Sequence, residues 1–499
     1  MNNKQLKIRF QTFSRLGLIP DALKIEKREN ELREEYEKII ELGNSNEIKR
    51  FEDLKTFIES PEFKIRKKEI NFQKYSDTKE YQKEQRFKKL SASKAIKNYL
   101  KLKDSEKLAQ LNELLESGKL QQFIKLEDFF KSPDFKEFKK NLKKEKKGTK
   151  FGETQEYKDL QEYKRLKKSP EIKKARKLHD SKEYELYTET KNSEALKEYY
   201  ELYDYINSDE FKKFKKQLTS KNKFKYSQEY QDLQEYKRLK KSENIKWYYK
   251  RKDSEDFDFF RKWERTFYDD FQDNKIDKSK WLTMPYWGKV LLKDSYVQTD
   301  DNHFFTNGNN LEINGNILNV ITKREDIKGK VWHPKFGFYL RQFQYSSGII
   351  NTGESFRQKY GLFRAKVRIE KVYPFKHAFW LNSERISPEV DVFSFMKKST
   401  KTVSLISYWG ELSGKNTAYY DKTDIKGPDF SSGYYIFSLE WYKDELIWKI
   451  NDMTVRSQKK GIPDIPMYMI LNSGLQTDAE DSDLPSRMLI DWVEVYQEK

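Results

Sequence analysis

Two stretches of this chain are near copies of each other. TQEYKDLQEYKRLKKSPEIK begins at Thr154 and SQEYQDLQEYKRLKKSENIK at Ser227; a weaker copy, TKEYQKEQRFKKLSAS, begins at Thr78. A second motif interleaves with these: SPEFK at Ser60, SPDFK at Ser132 and SDEFK at Ser208. Both series repeat at nearly the same interval, so the unit is about 75 residues, present roughly three times. Its last copy is cut short near Trp263. A repeat of this length is one supersecondary unit that buries its apolar face on its neighbours.

The motifs predict helices. Ser-Pro-Glu sets an N-cap serine before a proline at the first helical position and an acid in the first turn. Phe63, Phe135 or Phe211 then opens an apolar stripe, and Tyr157, Leu160, Tyr163 and Leu166 recur at intervals of three, which supports one buried face. The expectation is short α-helices in small bundles stacked end to end. Tyr199, Tyr200, Tyr203 and Tyr205 could be sugar platforms, but a stripe of this kind reads first as core.

Charge divides the chain in two. Residues 1–265 hold 68 Lys and Arg against 50 Asp and Glu, so the net charge of +19 belongs almost wholly to them. The lysines alternate with glutamates at i,i+4 spacing, as in KEYQKEQ, which fits solvated, ion-paired helix faces. Nucleic acid is not expected as a partner, since no base-reading motif accompanies the charge. A protein or an anionic surface remains open as a partner of these helices.

The chain has no cysteine, which excludes disulfides, cysteine-ligated zinc, a thiol nucleophile and a lipid-modified N-terminal cysteine. No apolar run is long enough to cross a membrane. The start, MNNKQLKIRFQTFSRLGLIPDALK, has no continuous apolar core, so no signal peptide is expected. The location is left open between the cytoplasm and an extracellular or particle-associated role reached by a non-classical route.

From Phe267 the texture changes to alternating runs between Gly, Asn and Asp: NLEINGNILNVITKRE, YGLFRAKVRIEKV, TVSLISYWG, YYIFSLEWYKDELIWKIND and MLIDWVEVYQ. Period-two alternation with turns about every 8–15 residues predicts an antiparallel sandwich or barrel. The division expected is a helical lead segment over 1–44, basic helical repeats over 45–265 and a β-sandwich over 266–499. Trp441, Trp448 and Trp492 sit in alternating runs and read as core.

SPEVDVFSF carries the most chemistry. On a strand Glu389 and Asp391 share one face, and Val390 and Val392 the other. Two carboxylates side by side repel unless neutralised or used, and a lone E-x-D pair is more often structural.

The surrounding blocks resemble glycoside hydrolase family 16, the β-jelly-roll endoglycanases, over about residues 266–499. DDFQDNKIDKSKW resembles the family's opening block, and YSSGIINTGESFRQKYGLFRAKVRI its central strands. FKHAFWLNSERISPEVDVFSF resembles its site segment, FSLEWYKDELIWKINDMTVR a later hairpin, and MLIDWVEVYQ its last strand. The fold expected is therefore an all-α helical repeat array followed by an all-β antiparallel jelly-roll sandwich. The resemblance implies Glu389 at the nucleophile position and Asp391 at that of a helper. The third position, a glutamate acting as general acid and then base, is Ser394 if the strand is bulged and Phe393 if it is not. Neither can protonate a leaving oxygen at neutral pH. The histidine the family often sets on the adjacent strand is replaced by Ser407 and Tyr408; none of His179, His303, His333 and His377 falls there. Glu384 and Glu411 are nearby acids that could substitute.

Trp380 and Trp409 match positions where the family stacks sugar rings. Tyr408, Trp287 and Trp332 stand with them as binding candidates, and Tyr345 and Tyr435 behind these. No cofactor is implied apart from a structural calcium, to which Asp269 or Asp491 could contribute. Three functions follow. The first is a glycan-recognition protein with an impaired glycosidase domain on a helical spacer, with a β-linked polysaccharide as partner. The second is an active retaining endo-β-glycanase with a displaced acid. The third is a structural protein of an assembly such as a phage particle or secretion apparatus.

Overall fold

The computed structural model describes residues 1–142, 151–385, 387–410 and 419–499, so Glu411 lies outside the described residues. The chain forms two compact units, residues 46–245 in one and residues 1–45 with 246–499 in the other.

Among the described residues the unit of residues 46–245 is helical, α-helices with short 3-10 turns between some of them, and its joints follow from the serines. Ser60 Oγ donates to the Phe57 carbonyl at 2.6 Å, closing one helix, and accepts from the Phe63 amide at 3.2 Å, opening the next. Ser181 and Ser208 do the same between their helices. One hydroxyl thus caps two helix ends, and a single serine suffices as the connection.

These helices do not stack as three successive bundles. Helix Asn46–Glu59 lies on Gln228–Leu239, Lys79–Ala92 on Glu194–Asn207, Lys94–Lys103 on Lys182–Lys191, Glu106–Glu116 on Pro170–His179, and Lys119–Lys131 on Gln155–Lys168. The chain runs out along one leg and back along the other, as a ladder. Aromatic pairs form its rungs: Phe51–Tyr236, Phe87–Tyr199, Tyr99–Tyr187 and Phe123–Tyr163 stack with centroids 5.4, 5.4, 5.1 and 5.7 Å apart. Tyr199 is therefore core, as expected, while Tyr200 and Tyr203 are exposed. Two of the three EYK-type copies lie on the returning leg, so the repeat fixes helix length and capping but not which helices pair.

In the other unit two sheets pack face to face, the smaller antiparallel and the larger antiparallel apart from two short parallel pairings at Tyr296–Gln298 and Phe304–Phe305. The six-stranded sheet comprises β1 (Ile349–Asn351), β2 (Phe375–Asn382), β3 (Glu389–Phe395), β4 (Thr402–Trp409), β5 (Tyr419–Lys426) and β6 (Tyr468–Leu475), in the order β5-β4-β3-β2-β6-β1. Its inner face meets the larger sheet in a core that includes Phe363, Phe379, Phe393, Phe437, Trp441 and Trp448.

Residues 1–45 belong to this unit. Helix α1 (Asn3–Arg15) puts fully buried Phe10 into the inter-sheet core, and the Asn3 amide exchanges two hydrogen bonds with the Ser457 backbone, both 2.7 Å. Helix α2 (Ala22–Asn44) covers the outer face of the larger sheet. There Glu29 pairs with Arg364 at 2.9 Å and Glu26 with Lys366 at 2.6 Å, both cations being almost wholly buried. Trp492 is buried under α2, with its Nε1 donating to Glu26 at 2.9 Å, and not between the sheets. The boundary expected near residue 266 and the separate lead segment give way to this arrangement. Their cause is long-range pairing: the partners of Glu29 and Glu26 lie 335 and 340 residues further along the chain.

The two residues expected at a calcium site have other partners. Asp269 accepts from Trp281 Nε1 at 2.7 Å and from the Phe271 amide at 3.1 Å, and Asp491 pairs with Lys366 at 2.7 Å. With both carboxylates committed, and no cluster of three metal-ligating side chains among the described residues, these residues do not fit a calcium ion.

Candidate functional site

The outer face of the six-stranded sheet is where the E-x-D segment points. Along β3, Glu389 lies opposite Asn382, Asp391 opposite Trp380, and then Phe393 opposite Phe379: β3 advances two residues while β2 advances one. This is a β-bulge, and it leaves Val392 and Phe393 both in the core. Ser394 therefore returns to the outer face beside Glu389 and Asp391, opposite Ala378 on one side and Ser404 on the other. Of the two alternatives left open by the sequence, Ser394 and not Phe393 shares the face. The bulge is held from below, where Trp448 Nε1 donates to the Asp391 carbonyl at 2.8 Å.

Burial raises the pKa of Glu389, and the adjacent Asp391 raises it further; burial raises that of Asp391 as well. Lys376 opposes both shifts. The two carboxyls are thus placed to share a proton, since two charges side by side in a buried site cannot both persist. The Ser394 hydroxyl, fully buried, leans toward Asp391 and favours its charge, but makes no full hydrogen bond. Tyr408 lies opposite Glu389 on β4, its pKa pushed up to about 12 by burial and by the two carboxyls.

Trp380 is fixed by a 2.8 Å hydrogen bond from its Nε1 to Asn472 on β6, and its ring lies 6.3 Å from that of Trp287. Beside them Arg357 lies over the rings of Tyr286 and Tyr468 at 5.0 and 5.3 Å. Trp380, Tyr408 and Trp287 are thus brought to the face that carries Glu389.

Trp409 and Trp332 are not. Trp409 follows Tyr408 and so points through the opposite face of β4, where it packs on Gly461 and stacks on Tyr419 at 5.9 Å. Trp332 belongs to the larger sheet and lies 4.9 Å from Phe338; its neighbour Val331 is the residue that turns toward the Tyr468 and Trp380 cluster. Tyr345 is buried with its hydroxyl on the Ala479 carbonyl, and Tyr435 packs against the core. Ser407 also turns inward, to Gln458 at 2.8 Å.

Neither described acid near the site is placed to serve as a proton donor. Glu384 lies two residues past Asn382, beyond the Glu389 end of the row and away from Ser394, in a 2.9 Å ion pair with Arg357. Asp424, missed in the sequence, stands on β5 opposite Ser404. A hydrogen bond from Ser404 at 2.7 Å and Lys397 at 3.2 Å hold its carboxyl below the usual range, as a carboxylate. Lys376 and Lys422 on the same face were also missed. No local pattern marks these residues, because strand pairing alone brings them together.

The chain is 26% identical over 263 residues to "Glucan endo-1,3-beta-glucosidase A1" of Niallia circulans, covering 46% of this chain and 37% of that protein. It is 28% identical over 167 residues to "Endo-1,3-1,4-beta-glycanase ExsH" of Rhizobium meliloti (strain 1021), covering 32% and 34%. It thus spans little more than a third of the length of either relative. Among solved structures, the laminarinase catalytic domain of Thermotoga maritima MSB8 is 22% identical with a TM-score of 0.39, covering 48% of this chain and 99% of that one. Residues 296–494, which hold all six strands of the site-bearing sheet, match the family described as Glycosyl hydrolases family 16.

Proposed function

We propose that the sandwich binds a β-linked polysaccharide along the outer face of its six-stranded sheet, and that hydrolysis there is impaired. Trp380 and Trp287 offer flat apolar rings for sugar faces, while Asn382, Tyr408 and the carboxyl pair meet hydroxyls. The bulge carries the reading, because it aligns Ser394 with Glu389 and Asp391 where a retaining glycosidase needs a second catalytic carboxyl about 5–5.5 Å from the nucleophile. Glu389 can still attack an anomeric carbon once its proton has passed to Asp391, but among the described residues no further acid is placed to protonate the departing oxygen. Positioned acid catalysis contributes about 10²–10⁴-fold, so a sugar leaving group is disfavoured far more than an acidic phenol.

The expected result is binding of β-glucan or β-galactan chains with little hydrolysis, slow turnover of dinitrophenyl β-glycosides, and loss of that turnover in Glu389→Gln. Ser394→Glu, with Lys422→Met so that the ammonium does not hold the new carboxyl ionised, is expected to raise polysaccharide hydrolysis about 10²-fold or more. Rapid hydrolysis of laminarin, lichenan, agarose, carrageenan or xyloglucan by the unaltered chain overturns the impaired reading. It would establish the second one, an active endo-β-glycanase, which the names of the bacterial relatives favour.

A further inference from the structure

The third position of the site carries a serine in place of a carboxyl, and beyond Asp391 and Asp424 its face holds two cations, Lys376 and Lys422. Lys422 lies on β5 opposite Ile406 of β4, and its Nζ reaches across β4 to within 3.0 Å of Met396 Sδ, just past the end of β3. Lys376 lies on β2 one residue beyond the pair His377–Phe395, so it flanks Met396 from the other side, on the same face as Ala378 and Trp380. Both lysines are partly exposed, and among the described residues neither forms an ion pair with a carboxylate. A thioether does not neutralise an ammonium. Beneath them the floor is small and fully covered: Ala378, Ser394 and Ser404 span three adjacent strands.

The nearby carboxyls feel this pair but offset it only in part. Asp424 is bonded to Ser404 and Lys397, and Lys422 acts on it only through space. Burial and mutual repulsion leave Glu389 and Asp391 to share a proton, so together they present about one charge. Where a glutamate would repel an anionic sugar, this chain presents two partly exposed ammonium groups beside Ala378, Ser394 and Ser404.

Resting on the reading of this face as a glycan cleft, we propose that Lys376 and Lys422 bind an anionic substituent of the glycan, a sulfate ester or a uronate carboxylate. The preferred ligand is then an acidic β-linked polysaccharide, bound more tightly than a neutral glucan. Charge-assisted hydrogen bonds from the ammonium groups supply the selectivity, and the rings of Trp380 and Trp287 supply contact common to neutral and acidic chains.

The test is titration of the full chain with laminarin, with the same laminarin chemically sulfated, and with laminarin oxidised to carboxyl at C6. The expected result is at least tenfold tighter binding of an acidic form than of the neutral parent, the tighter of the two naming the substituent. Lys376→Met and Lys422→Met are each expected to weaken the acidic form about tenfold, and at least fivefold more than they weaken the neutral one. The helical unit is itself basic, so acidic-glycan binding that both variants leave intact belongs there and overturns the proposal. Equal binding of all three forms also overturns it while leaving the glycan cleft standing. Absence of binding to all three removes the cleft reading and the proposal together.

Discussion

Glu389 and Asp391 are a pH-dependent load on the fold. Each carboxyl is held above its ordinary range, so the folded chain retains a proton that the unfolded chain releases. Stability is therefore full below the ordinary carboxylate range and falls as pH rises through the raised values. Glu389→Gln removes a buried ionisation and should flatten that fall. Between about pH 5 and 9 the variant is expected to gain about 1–2 kcal/mol relative to the parent, read as a smaller decrease in melting temperature across a pH series. Equal slopes for the two proteins would mean that the pair is hydrated and unshifted. The E-x-D spacing makes this pair legible in the sequence, and the family resemblance narrows the third position to two residues. Deciding between Ser394 and Phe393 needs the bulge, which depends on pairing with β2. Trp409 illustrates the converse: an aromatic beside a site residue on a strand faces away from it, because successive side chains alternate.

The bulge is also the element on which the site depends. An extra residue in β3 breaks the ladder locally, and the Asp391 carbonyl finds its donor in the core, at Trp448 Nε1. Trp448→Phe keeps most of the apolar volume and removes that donor. It is expected to cost about 1–3 kcal/mol, the penalty of an unsatisfied buried polar group, and to weaken glycan binding. A loss of stability with binding unchanged would show that the bulge holds its shape without the tryptophan. In the helical unit the corresponding device is the bridging serine. Ser208→Ala deletes two hydrogen bonds at once, the cap of helix Asp209–Thr219 and the closing bond to the Tyr205 carbonyl. About 1–2 kcal/mol is expected from denaturant unfolding followed by circular dichroism, at the upper end of single-cap losses. These caps are readable residue by residue, so the helices and their limits were largely legible. The ladder was not. Stacked pairs such as Tyr99–Tyr187 join helices that several others separate in the chain, and a repeat motif does not say whether it stacks on its next copy or on a returning leg.

At the scale of the whole molecule, the helical unit is inserted into the sandwich unit and does not precede it. Residues 1–45 and 246–499 share one contact network. Within that unit Ile39 packs with Phe257 and Phe260, and Gly43 lies against the ring of Tyr248, so the two points where the chain leaves and re-enters are neighbours. Composition could not reveal this, since α2 is as charged as the ladder helices. What sets it apart is its partners, the buried cations Arg364 and Lys366 on a strand that reads as ordinary alternation. A chain trimmed to 266–499 would lose Phe10 from the core and uncover Ile436 and Trp492. Full burial of a large apolar side chain contributes about 1.5–3 kcal/mol, so losing three such contacts removes a large part of the about 5–15 kcal/mol typical of a domain. Excising 46–245 and joining Ser45 to Lys246 through a short Gly/Ser linker should instead leave the core complete. The excised form is expected to unfold cooperatively, within a few degrees of the sandwich transition of the full chain, and to keep its affinity for glycan. The 266–499 fragment should melt at least about 10 °C lower or fail to fold, a shift in line with several kcal/mol in a domain of this size. If the fragment matches the excised form in both stability and binding, α1 and α2 are accessories to a sandwich that is complete without them. If both shortened forms bind glycan less well than the full chain, the ladder contributes to recognition.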